Sequence, residues 1–207
     1  MRDFGLKAKR HVAERVSSYF FVLVLFAVGV ALGAVAISAL SFSQKQDLLS
    51  FLQQIFSAGM GVSAGSSNFL GTLLVNLQLL WVVWLMGVLV FGLPVIVVLV
   101  FFRGFILGFS VAFLLSEMAW KGALFAFCSI IPHNAISVPV ALAAAAIAIH
   151  HAISTIRPTN NRRQSYWQKI VSLTGLMLLF SALVFLASVV EAFITPLLAQ
   201  LAARLFY

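Results

Sequence analysis

Few residues in this chain could do chemistry, because charged side chains make up only 9% of its 207 residues. Arg103 is the sharpest of them. It stands about nine residues inside an apolar run, ~13 Å deep at helical rise. A central arginine costs at least ~2.5 kcal/mol on insertion scales, so it needs an acidic partner, backbone carbonyls or water. Glu117 is about fourteen residues further along the same helix, ~21 Å away, and cannot reach. Glu191, or carbonyls exposed at a helix break near Pro132, are the expected partners. The alternative is that Arg103 snorkels to the nearer interface. His133 and Asn134 sit at that break, where His133 is expected to order it. Arg103, His133, Asn134 and Glu191 are thus the candidate intramembrane polar residues.

The remaining reactive side chains do not form recognisable constellations. His150 and His151 are adjacent on a helix and point ~100° apart. His133 lies ~25 Å from His150 along one helix. The chain has no HExxH sequence and a single cysteine, Cys128, so no metal site is expected. One cysteine also makes no intrachain disulfide, and Cys128 reads as a small buried hydrophobe. No GxSxG string follows a predicted strand, as a nucleophile elbow requires, so Ser110 and Ser129 are nucleophile candidates only by default. Paired carboxylates are absent. Gly59–Gly65 fails the GxGxxG test in spacing, and no strand precedes it. No catalytic residue and no cofactor site is expected.

These residues are positioned by membrane-spanning helices. Apolar residues are 63% of the chain, and several runs of about 20 residues are nearly free of charge. The fold class is therefore all-α: a polytopic helical bundle with about five transmembrane helices and one re-entrant or broken helix near Pro132. The expected spans are 18–40, 69–92, 95–116, 135–156 and 170–190. A basic tail, 1–17, precedes the first. It could lie along an anionic leaflet or be a solvated tail that fixes orientation. Its span is too long for a signal-peptide core. Gly29 and Gly33 let a neighbouring helix approach closely. That neighbour could belong to this chain or to a second copy in a homo-oligomer.

Between the first two spans, 41–68 is the longest polar stretch. Ser43 and Gln46 read as a capping box. Leu48, Leu52, Ile55 and Phe56 then recur at helical spacing, which predicts a short amphipathic helix through about Phe56. A flexible turn follows over 59–68. Pro94 suits the first turn of the third span. Glu117–Lys121 reads as an interfacial break. The apolar segment 122–134 is too short to cross and reads as re-entrant, which is tolerated only where protein covers its backbone. A tail, 191–207, closes the chain.

The net charge of +8 does not imply nucleic acid, because the basic residues sit beside the apolar runs. With the N-terminus cytoplasmic, the inner segments hold nine Lys and Arg and the outer segments three, with Arg103 between them. That excess favours five crossings and an extracytoplasmic C-terminus. The lipid bilayer is the first partner. Leu48, Leu52, Ile55 and Phe56 would then form an outward-facing element, either for docking a protein partner or for resting on the outer leaflet or the chain's own bundle. A transporter, flippase or channel would instead need a polar path lined by Arg103, His133, Asn134 and Glu191.

Several stretches resemble the stage II sporulation protein M family of endospore-forming bacteria. They are Val16–Phe21, Phe42–Leu48 with its Ser-Gln-Lys-Gln-Asp run, Arg103–Gly108, Ile131–Ala135 with Pro139, and Val190–Pro196. The wider family often has Asn before Gly104, where this chain has Arg103, so no family-wide role transfers to that position. The resemblance implies a non-enzymatic membrane scaffold at the sporulation septum, in the mother-cell membrane. It implies action in engulfment of the forespore, with stage II sporulation proteins D and P, which degrade peptidoglycan, as partners. No catalytic residues come with it.

Overall fold

A computed structural model describes residues 2–61, 66–156 and 166–194. The described residues are helical almost throughout. The helices are α1 (Arg2–Ala36), α2 (Phe42–Gly61), α3 (Ser66–Val88), α4 (Leu93–Ser129), α5 (Ile131–Ile156) and α6 (Tyr166–Val189). A five-residue π-helical turn, Val190–Ile194, continues α6. Five segments are long and apolar enough to cross a membrane: Val16–Ala39, Phe69–Val88, Leu93–Glu117, Ile131–Thr155 and Ile170–Phe193. They reproduce the expected spans to within a few residues. The basic tail is not a separate element, because α1 runs without interruption from Arg2 into the first span.

Helix α5 is the centre of the bundle. Its span is 56% buried, against 17–22% for the other four. The alanine run explains this: Ala144, Ala145, Ala146, Ala148 and Ala152 are wholly buried. Small side chains let backbones approach in lipid, where apolar burial against water does not drive helix association. Leu80 and Val83 of α3, Ile96 and Val100 of α4, and Leu173 and Met177 of α6 close around it. Trp84 of α3 donates its indole N–H to Thr174 of α6 at 3.1 Å.

Helix α1 is held by α4 through two interlocked glycine pairs. A Cβ on Gly29 or Gly33 would strike the carbonyl oxygens of Phe101 or Phe105. A Cβ on Gly104 or Gly108 would strike those of Phe26 or Val30. The small-residue spacing of the first span thus serves a helix of the same chain.

Three local expectations are corrected. The capping box at α2 uses Ser41 and Gln44, not Ser43 and Gln46. The Gln44 side chain accepts from Ser41 N–H at 2.9 Å, and Gln44 N–H reaches Ser41 Oγ at 3.4 Å. Both registers contain Ser-x-x-Gln, and the helix starts at the earlier one. Second, α2 continues through Gly61, past the expected end at Phe56. Third, the break near Pro132 falls at Ile130, and Pro132, His133 and Asn134 are already helical. Proline lacks only a donor that a first turn leaves unused, so Pro132 begins α5 rather than interrupting a helix. The break at Glu117–Lys121 is found as a kink at Ala119 (φ 50°, ψ −130°), a region costly for a residue with a Cβ.

The glycine contacts make a sharp contrast. Gly108→Leu is expected to separate α1 from α4 and to lower the melting temperature in detergent strongly. Gly175→Ala meets nothing within 4 Å. It should be neutral or stabilising by up to ~1 kcal/mol, the helix-propensity gain.

Candidate functional site

Polar residues from four elements converge where α3, α4, the start of α5 and the π-turn meet. Arg103 lies ten residues into α4, ~15 Å from its start. Its Nη2 donates to Ser137 Oγ at 2.8 Å and to Asn76 Oδ1 at 3.4 Å. Asn76 is oriented for this by its own amide, which donates to the Thr72 carbonyl at 3.0 Å. With the nitrogen spoken for, the oxygen faces the guanidinium. Asn76 and Ser137 are both buried, at 8% and 1% exposure.

The network continues through His133. Four residues before Ser137, it shares the same face of α5. Its Nε2 is 3.2 Å from Ser137 Oγ, and its Nδ1 is 2.8 Å from Glu191 Oε2 and 3.3 Å from the Ala187 carbonyl. Both neighbours of Nδ1 are acceptors, so Nδ1 carries the proton. In that tautomer Nε2 accepts from the Ser137 hydroxyl, whose oxygen accepts from Arg103. Arg103, Ser137 and His133 are joined by hydrogen bonds that run in one direction, while Glu191 Oε2 stands at ion-pair distance from Nδ1 without hydrogen-bond geometry. The charges of Arg103 and Glu191 offset one another. The π-turn makes the far end possible. Its wider helical turn alters the register at Val190 and sets Glu191 against the first turns of α5.

Among the described residues Arg103 therefore makes no direct ion pair with Glu191 and no hydrogen bond to carbonyls at the helix break. A hydroxyl and an amide hold it, and Glu191 acts on it through Ser137 and His133. Opposite charge suggested the direct pair, but His133 lies between the two. Glu117 pairs instead with Lys45 of α2 at 3.7 Å. Arg103, His133, Asn134 and Glu191 do come together, lining one open cleft of about 610 Å³ with Thr72, Asn76 and Ser110. Asn134 turns its amide onto the Ile130 carbonyl at 2.8 Å, closing the break. On the other side of Arg103 lies a void of only about 10 Å³ among Leu80, Val83, Val140 and Ala144. That is room for about one water.

Ser137, His133 and Glu191 stand in the order of a nucleophile, base and carboxylate. Access argues against that use. Ser137 is 1% exposed, its oxygen already accepts from Arg103, and it sits inside a helix whose amides are taken. Among the described residues no three His, Cys, Asp or Glu come together as metal ligands do. His151 is buried on α5, and its carbonyl accepts from Ser154 and Thr155. The side chains of Cys128, Ser129, Leu52, Ile55 and Phe56 lie outside the described residues, while Leu48 is half-buried on α2.

Sequence reasoning missed Asn76, Ser137 and Thr72. Ser137 had one usable signal, its i+4 spacing from His133. Asn76 had another, as an amide well inside an apolar span.

Ser137→Ala should lower stability in detergent by ~1–3 kcal/mol, the cost of stripping a buried group of its partner. Adding Arg103→Met should recover part of that loss, because the stranded charge is gone. A thermal-denaturation double-mutant cycle measures the coupling.

A family model described as stage II sporulation protein M matches residues 22–196. No curated protein and no solved structure matches the chain. The family match takes in all five apolar spans almost completely, and with them each residue of the polar network. The chain belongs to the stage II sporulation protein M family and is a sporulation-related, multi-pass membrane protein.

Proposed function

We propose that this protein is a non-enzymatic membrane scaffold that holds and localises peptidoglycan-degrading partners, stage II sporulation proteins D and P, during engulfment of the forespore. The observation that carries this reading is α2. It is a 20-residue helix at one end of the bundle, and among the described residues it packs extensively on no other element. Lys45 on it pairs with Glu117 of α4 at 3.7 Å. Phe42 and Phe51 on it are 77% and 58% exposed. A helix so placed is available to a partner, whereas one that caps its own bundle would be packed against it.

Five crossings put α2 and the N-terminus on opposite sides of the membrane. The basic excess in 1–17 and 157–169 favours a cytoplasmic N-terminus. On that orientation α2 faces the compartment in which peptidoglycan is degraded. The septal mother-cell membrane is the site of action that family membership suggests.

A transporter, flippase or channel would use the polar cleft. Such a path has to continue past Arg103, where the space narrows to about 10 Å³. This favours a scaffold whose interior is closed at mid-depth.

Polar substitution of Leu48, Leu52, Ile55 and Phe56 should release the two partners from affinity-purified membranes of sporulating cells, while the protein stays in the membrane fraction. Retained co-purification would remove the docking role of α2. Enzymatic reporters fused after residue 61 and within 157–165 should give opposite signals, extracytoplasmic for the first and cytoplasmic for the second.

A further inference from the structure

The cleft has more polar capacity than the protein uses. Arg103 commits only Nη2, through both of its hydrogen bonds. A guanidinium has five N–H donors. Those on Nε and Nη1 have no acceptor among the described residues, and Nε is fully buried. What Arg103 lacks is an oxyanion. Glu191 lines the same cleft and is shared with one imidazole nitrogen, its side chain 35% exposed. One fixed cation and one fixed anion therefore look into a single open space.

The surroundings indicate how a ligand would enter. Val75 of α3 and Ile106 of α4 line the cleft and are 66% and 62% exposed. Both belong to apolar spans, so in a bilayer they meet acyl chains. The gap between α3 and α4 thus opens sideways onto hydrocarbon. Its volume of about 610 Å³ falls within the range of small-molecule pockets, about 300–1,000 Å³. Gly71 also lines it, and a Cβ there would meet nothing within 4 Å.

We propose that this cleft binds the headgroup of a zwitterionic aminophospholipid, which enters laterally between α3 and α4. The phosphate lies on the Nη1 donors of Arg103, the ammonium on Glu191, and the acyl chains leave over Val75 and Ile106. A lipid with a net anionic head satisfies Arg103 but is repelled by Glu191. A lipid without phosphate satisfies neither. This inference goes beyond the scaffold role and does not rest on it.

Native mass spectrometry of the full chain in detergent tests it, with phosphatidylethanolamine, phosphatidylglycerol and diacylglycerol added in turn. The wild type should retain one phosphatidylethanolamine, with about a tenfold preference over phosphatidylglycerol. Diacylglycerol should not be retained. Equal retention of phosphatidylethanolamine and either of the others overturns the proposal without any variant. Gly71→Phe fills the cleft without a backbone clash, and should abolish retention while the melting temperature holds. Gly71→Ala should keep it. A folded Gly71→Phe protein that still retains the lipid overturns the site. Glu191→Gln should equalise phosphatidylethanolamine and phosphatidylglycerol, and unchanged selectivity overturns the role of Glu191. Displacement of the lipid by millimolar phosphoethanolamine would mean a water-soluble ligand reaching the cleft from its aqueous end, and would overturn lateral entry.

Discussion

A guanidinium inside an apolar span cannot rely on bulk solvent for its hydrogen bonds, and the architecture around Arg103 follows from that constraint. Its nearest partners are a hydroxyl and an amide, both buried and both fixed by a second bond of their own. Among the described residues the nearby carboxylate, that of Glu191, stands two side chains away. Spreading the compensation over a serine and a histidine lets the positive and negative groups occupy different depths. It also requires α3, α4, α5 and the end of α6 to keep their mutual register, because each contributes at least one link. The network is therefore a constraint on packing as much as a set of polar contacts.

That register is set elsewhere, by small residues. The alanines of α5 let three helices close on it, and the paired glycines of α1 and α4 bring two backbones together. In lipid these close approaches supply the packing that water would otherwise enforce. The half of the α3–α4 seam nearer the start of α3 is the exception. There the helices part, and the polar residues that would be sealed by closer packing line an open cleft instead.

Much of this was legible in the chain itself, and the physical reason is simple. Uncharged runs of 18 residues or more can be little else than spans, so all five were placed to within a few residues. Arg103, His133, Asn134 and Glu191 stood out because ionisable or strongly polar groups are conspicuous in apolar surroundings. The pairing between them was not legible. Charge type matches Arg103 to Glu191, but nothing along the chain says that a π-turn will set Glu191 against His133. Asn76 and Ser137 were passed over because a single amide or hydroxyl in a span is common and satisfies itself on its own helix. The register of the α2 cap was ambiguous for a different reason, since two overlapping Ser-x-x-Gln sequences fit the same rule.

The π-turn at Val190–Ile194 makes the polar network depend on chain length as well as on residue type. Losing one residue at Val190 would rewind the segment toward an ordinary helix and swing the glutamate by ~100° about the axis. Conservative exchanges among the apolar residues of that turn leave its geometry within reach. A single-codon deletion there does not, so over generations this segment should tolerate changes of letter far better than changes of count.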